Sequence, residues 1–205
     1  MTKIKICGIT NKEDALHAAS LNVDMIGFVF YKRSKRYIES KTVRDIVNEL
    51  PPSMNKVGVF VNEERSRVLE LAEDSDIDTL QFHGDEKPDC CSSFKDSYKV
   101  IKAFRLREAK DLKDINDYDV DFYMLDTYMP ALVGGTGKSF DWKIIEDHEF
   151  LKPVIISGGL TPANVRKAIR EIAPYGVDVS SGVEARPGKK DYDLMKKFVR
   201  NVRKA

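Results

Sequence analysis

The chain is short of the features that would take it out of the ordinary globular class. It has one tryptophan and three cysteines in 205 residues. Two of the cysteines, Cys90 and Cys91, are adjacent. Thiols so placed form neither a disulfide framework nor a metal-ligand spacing, which argues against a secreted scaffold and a structural zinc site; no metal is expected. An excess of either charge is also lacking. Lys and Arg number 34 against 33 Asp and Glu, for a net +1, so no basic face for nucleic acid or an anionic membrane surface is expected. No apolar run approaches the roughly 20 residues of a bilayer span. The opening Met1-Thr2-Lys3-Ile4-Lys5 alternates polar and apolar instead of forming a signal core. Nor does any low-complexity stretch, linker or charge block mark a boundary, so one compact domain over 1–205 is expected, in the cytoplasm. With 42% hydrophobic and 33% charged residues, the chain can bury a sizeable core.

What the sequence does have is rhythm. Short runs rich in β-branched and apolar residues return about every 20–30 residues: Lys3–Cys7, Met25–Phe30, Lys56–Val61, Asp78–Phe82, Lys99–Ala103, Phe122–Asp126, Pro153–Ser157 and Gly176–Ser180. No Asn-Gly or Asp-Gly pair joins neighbouring runs, so hairpins are not favoured. The gaps hold helical patterns instead. Thr10-Asn11-Lys12-Glu13 reads as a capping box, Ser40 as a cap before Val43, Ile46 and Val47, and Thr161-Pro162 as a cap with proline at the first helical position. Asp191–Lys204 spaces Tyr192, Met195, Phe198, Val199 and Val202 at helical intervals. The patterns over Arg107–Ile115 and Asp141–Asp147 are the weakest. Eight strands alternating with helices imply a parallel sheet. Eight such units predict an α/β fold of the eight-stranded parallel β/α (TIM) barrel type; a doubly wound open sheet usually needs fewer strands.

In such a barrel the site lies at the carboxyl ends of the strands. Ser157-Gly158-Gly159-Leu160-Thr161 and Ser180-Ser181-Gly182-Val183 then stand where glycines let backbone N–H groups approach a phosphate. A tight turn is the simpler alternative for either glycine segment alone. Cys7, at the end of the first strand, is either a small buried hydrophobe or a reactive thiol. Asp126 closes the apolar run Phe122–Leu125 and is either a structural partner or a functional carboxylate. Arg36, in the basic loop after the second strand, is either solvated or holds a carboxylate bidentately. His83, at the end of the fourth strand, reads as a rim histidine or a base. Gly134-Gly135-Thr136-Gly137-Lys138-Ser139 looks like a nucleotide-binding loop, but position 132 is Leu132 where that motif needs glycine. The run fits better as a glycine-rich lid with Lys138 reaching inward.

Taken in order, the strand-end segments resemble phosphoribosylanthranilate isomerases of tryptophan biosynthesis over nearly the whole chain. They are Lys5-Ile6-Cys7-Gly8-Ile9-Thr10, Gly27-Phe28-Val29-Phe30 with Ser34-Lys35-Arg36-Tyr37, Val57–Asn62, Gln81-Phe82-His83-Gly84, Leu125-Asp126-Thr127, Gly134-Gly135-Thr136-Gly137 with Phe140-Asp141-Trp142, Ser157-Gly158-Gly159-Leu160 and Asp178–Glu184. The resemblance implies an Amadori rearrangement of an aryl-ribosylamine 5-phosphate to its ketose. It further implies Cys7 as general base, Asp126 as general acid and Arg36 as the holder of the anthranilate carboxylate. The phosphate falls to the glycine turns after the seventh and eighth strands, around Gly158, Gly159, Ser181 and Gly182, with Asp178 and Ser180 of the eighth strand also among the substrate-binding residues. Departures from the family pattern are Phe82, where leucine is common, and the loop Tyr128–Val133.

The implied chemistry needs one acid and one base. Protonating the ribose ring oxygen opens the ring to an iminium ion, the base takes a proton from the adjacent carbon, and the enamine tautomerises to the ketone. No cofactor is expected, and the partner is the small-molecule substrate, phosphoribosylanthranilate; the oligomeric state is left as monomer or homodimer. An indole-glycerol-phosphate synthase would carry a catalytic lysine and acidic partners. A histidine-pathway isomerase would show a two-fold repeat with paired aspartates. A non-catalytic phosphosugar-binding module would need only the glycine turns.

Overall fold

The computed structural model describes residues 1–127, 145 and 148–205. The run 134–139, including Lys138, and most of 141–147 lie outside the described residues. The strands are β1 (Lys3–Cys7), β2 (Met25–Val29), β3 (Asn55–Phe60), β4 (Thr79–Phe82), β5 (Lys99–Leu106), β6 (Phe122–Thr127), β7 (Val154–Ser157) and β8 (Gly176–Val179). They close into a barrel in sequence order, every neighbouring pair parallel. Each expected strand is present, with ends shifted by at most one residue apart from β5, which runs three residues longer.

Helices α1 (Lys12–Ser20), α2 (Ser40–Val47), α3 (Arg65–Ser75), α4 (Pro88–Ser92), α5 (Val165–Ile172) and α6 (Tyr192–Arg203) lie between or after the strands. Three expected caps fall elsewhere. Asn11, not Thr10, caps α1 by accepting from the Asp14 amide at 3.0 Å. Thr10 is drawn off by the last loop, donating from Oγ1 to the Gly188 carbonyl. Ser40 is the first residue of α2 behind Glu39. Thr161 opens a turn in which Asn164 Oδ1 accepts from its amide at 2.7 Å, and α5 starts only at Val165. The weak pattern after β5 is two short 3-10 turns, Ala109–Leu112 and Ile115–Asp117. A small antiparallel hairpin that the sequence reading lacked, β9 (Glu184–Arg186) with β10 (Lys189–Lys190), turns at Pro187-Gly188, where Gly188 has φ +81°.

Apolar residues sort into two layers. The larger lies between sheet and helices and includes Ile4, Ile6, Phe28, Phe60, Leu80, Leu125, Val177 and Phe198. The smaller fills the lumen with Met25, Val57, Ile101, Ala103, Met124 and Ile155. Period-two alternation puts Lys5 and Cys7 on the lumen side of β1, opposite to Ile4 and Ile6. Register seats Lys5 beside Asp178 and Met25, and Cys7 beside Gly27.

Candidate active site

The barrel carries its chemically active side chains at the carboxyl ends of the strands. Cys7 ends β1 and is buried. A side chain on its register partner Gly27 could not be accommodated, because a Cβ there would stand 2.8 Å from Cys7 Sγ and 3.2 Å from Lys5 Nζ. Burial pushes the Cys7 thiol above the ordinary thiol range; Lys5 pulls it down, Asp178 pushes it up and Lys190 pulls it down.

Beneath Cys7 lies a polar group of which the sequence pointed to Asp178 but not to its partner Lys5. Lys5 Nζ donates to Asp178 Oδ1 at 2.9 Å, and Ser157 Oγ donates to Asp178 Oδ2 at 2.9 Å. The Lys5 side chain is 0% exposed and that of Asp178 5%. Burial alone would lower the Lys5 ammonium, yet Asp178 and then Cys7 more than offset it and its pKa is raised. In Lys3-Ile4-Lys5-Ile6-Cys7 a lysine alternating with isoleucine reads as a solvent face. The fold makes that face the lumen.

Asp126 ends the apolar part of β6 and faces His83 from the end of β4, with His83 Nε2 3.0 Å from Asp126 Oδ2. Gln81 Nε2 lies 3.1 Å from His83 Nδ1. With the amide donating there, Nε2 is the proton-bearing nitrogen turned to Asp126. The turn that carries His83 is fixed from behind. The buried Lys102 donates from Nζ to the Gly84 carbonyl at 2.7 Å and to Glu86 Oε2 at 2.8 Å, and Glu86 accepts from the Gly84 and Asn62 amides.

Arg36 is at the mouth, but it is already held. Its Nε and Nη2 each donate to Glu184 across 2.7 Å, a bidentate fork that leaves Nη1 without a protein partner among the described residues. That hydrogen bond raises the Arg36 guanidinium further. Burial would raise Glu184, but Arg36 and Lys190 together hold its carboxyl below the usual range. Lys190 Nζ donates to Glu184 Oε1 at 3.0 Å and to the Ser180 carbonyl at 3.1 Å. Desolvation lowers the Lys190 ammonium.

The glycine turns after β7 and β8 are neighbours. Gly158 and Gly159 are consecutive left-handed residues, with φ +90° and +64°. Gly182 lies so close to Leu160 that a Cβ would overlap its carbonyl, and Ser181–Val183 forms a 3-10 turn. Ser180 Oγ is buried with no partner among the described residues. Cys7, Arg36, Asp126, the two glycine turns, Ser180, Ser181 and Asp178 thus all stand at or just beneath one rim.

The model of the N-(5'-phosphoribosyl)anthranilate isomerase family matches residues 4–201. The chain belongs to that family. The curated N-(5'-phosphoribosyl)anthranilate isomerase of Trichlorobacter lovleyi is 46% identical over 210 residues, covering 100% of both chains. A phosphoribosyl anthranilate isomerase structure from Thermotoga maritima superposes with a TM-score of 0.91 at 43% identity, over 100% of both chains. Another isomerase, solved with reduced 1-(o-carboxyphenylamino)-1-deoxyribulose 5-phosphate, gives a TM-score of 0.89 at 41% identity, again over 100% of each chain. The protein is accordingly a phosphoribosylanthranilate isomerase, an enzyme of tryptophan biosynthesis. Among its described residues no helix is long and apolar enough to cross a membrane.

Proposed function

We propose that this isomerase runs its aldose–ketose rearrangement with Cys7 as base and Asp126 as acid. Their placement carries the reading: β1 and β6 bring one thiol and one carboxylate to the same end of the barrel, and His83 is hydrogen-bonded to that carboxylate. Asp126, acting in its acid form, gives its proton to the furanose ring oxygen, and the C1'–O bond breaks to leave an iminium ion, with His83 hydrogen-bonded to the carboxylate that remains. The Cys7 thiolate then removes the proton from C2', whose electron pair forms the enamine double bond. Tautomerisation gives 1-(2-carboxyphenylamino)-1-deoxyribulose 5-phosphate.

The two ends of the substrate are anions, and each has a cradle. The phosphate rests on backbone N–H groups of Gly158, Gly159, Ser181 and Gly182, with Ser180 Oγ a donor to spare and Asp178 fixing Ser157 beneath the turn. The carboxylate takes the free Nη1 edge of Arg36, while Glu184 keeps the guanidinium plane in place. A doubly anionic substrate does not cross a bilayer unaided, so we place the enzyme in the cytoplasm, where such intermediates are made.

Cys7→Ser and Asp126→Asn test the assignment, because each deletes one proton transfer and keeps the shape. Turnover should fall roughly 10²–10⁴-fold in each, with ligand affinity nearly unchanged. The losses should not add in the double variant. Turnover within a few-fold of the parent in Cys7→Ser removes the thiol from the reaction and makes His83 the next base to test.

A further inference from the structure

Apolar side chains line the middle of the barrel's lumen, and against them sits a buried ion pair. Burying a lysine and a carboxylate is costly in desolvation, and well-packed apolar residues of similar volume often do as well or better for stability. Lys5 and Asp178 sit against a lumen core of Met25, Val57, Ile101, Ala103, Met124 and Ile155, so packing supplies no reason for the pair. Its position does. Lys5 and Cys7 share one face of β1 and converge on the space above Gly27.

We propose that Lys5 is the positioning residue for the base: its ammonium, pinned by Asp178, stabilises the Cys7 thiolate directly above it. This rests on the reading of Cys7 as base and adds what makes a buried thiol serviceable in that role. An ammonium has three donors. One is spent on Asp178 Oδ1, and the other oxygen of Asp178 is occupied by Ser157 Oγ, which fixes the carboxylate beside Lys5. Among the described residues the other cations that act on Cys7 are Lys190 and Arg36, both tied to Glu184. Three cations of the described residues (Lys5, Arg36, Lys190) and the Asp178 carboxylate thus act on the thiol. Of these, Lys5 exerts the largest pull toward the thiolate, and Asp178 opposes it.

The two partners therefore act on Cys7 with opposite sign. The test measures alkylation of Cys7 by iodoacetamide as a function of pH in the full-length, ligand-free protein, with the Cys7 peptide resolved from Cys90 and Cys91 by mass spectrometry. In Lys5→Met the pH midpoint should rise by about one unit, a tenfold loss of thiolate at a given pH. In Asp178→Asn it should fall. Lys5→Met/Asp178→Asn leaves no unpaired buried charge, so it folds even where Lys5→Met does not, and its midpoint should lie above the parent's. The rising limb of kcat/KM against pH should move with each midpoint. Midpoints of the double variant and of Asp178→Asn that coincide with the parent's overturn the proposal. Midpoints that move as expected while the kcat/KM limb stays put uphold the Lys5–Cys7 coupling and overturn Cys7 as the base.

Discussion

Arg36 shows how much a single residue's role depends on its neighbours. Its sequence context allowed a solvated charge or a carboxylate clamp, and the fold adds that Glu184 occupies two of its donors. Preorganised in this way, Arg36 should meet a substrate carboxylate with little loss of side-chain freedom. Arg36→Ala should weaken binding of the product by roughly 1.5–3 kcal/mol, the range for a hydrogen bond to a charged group. Glu184→Gln should raise KM with a smaller change in kcat, and steady-state kinetics separate the two parameters. Glu184 also has a pH signature. Its carboxyl is lower in the folded chain than in the unfolded one, so its stabilisation is complete above the unfolded value of about 4.3 and disappears as pH falls through the lower folded value. Urea midpoints of parent and Glu184→Gln should differ at neutral pH and converge in acid. A gap independent of pH would remove the carboxylate's charge from the explanation.

Between residue and molecule stand the elements, and here the turns after β7 and β8 act as one unit because Gly182 packs on the Leu160 carbonyl. Gly182→Ala would push the turns apart. Overpacking of this kind costs roughly 1–3 kcal/mol, and inorganic phosphate, a competitor for the proposed cradle, should bind more weakly; isothermal titration with phosphate measures it. The elements also mark how far the sequence could be read. All eight strands were legible, since each is a short run rich in apolar, β-branched or aromatic residues, and so was the last helix, over Asp191–Lys204. The caps at Thr10, Ser40 and Thr161 were not, because several residues near each start can cap, and the distant partner of Thr10 and the local turn closed by Asn164 decide between them. Cys7, Asp126, Arg36 and the glycine turns were legible as strand-end residues. Lys5 was not: alternation separates two faces without telling which one meets water, and the carboxylate that makes its burial tolerable comes 173 residues later.

For the whole molecule the decisive contact is the seam between β1 and β8, which joins the two ends of the chain's strand order. Everything at that seam is non-local, so folding should be slow for a chain of this size, and the ion pair can form only when the last strand arrives. Lys5→Met alone should cost about 3–5 kcal/mol by stranding Asp178, and Lys5→Met/Asp178→Asn should recover most of it; equilibrium urea unfolding of the three proteins checks this. A chain ending before Gly176 lacks both β8 and the partner of Lys5, and should give no near-ultraviolet dichroism. The closed seam also governs how the protein behaves in a crowd. A barrel has no edge strand to recruit another chain, and beyond the barrel the described strands are the two short members of the hairpin, β9 and β10, whose Arg186, Lys189 and Lys190 are charges of the kind that discourage pairing. Among the described residues native molecules therefore offer one another no open strand edge in the barrel. Clouding on heating should wait for the seam to part, so adding preformed aggregate should not hasten it while the barrel stays shut.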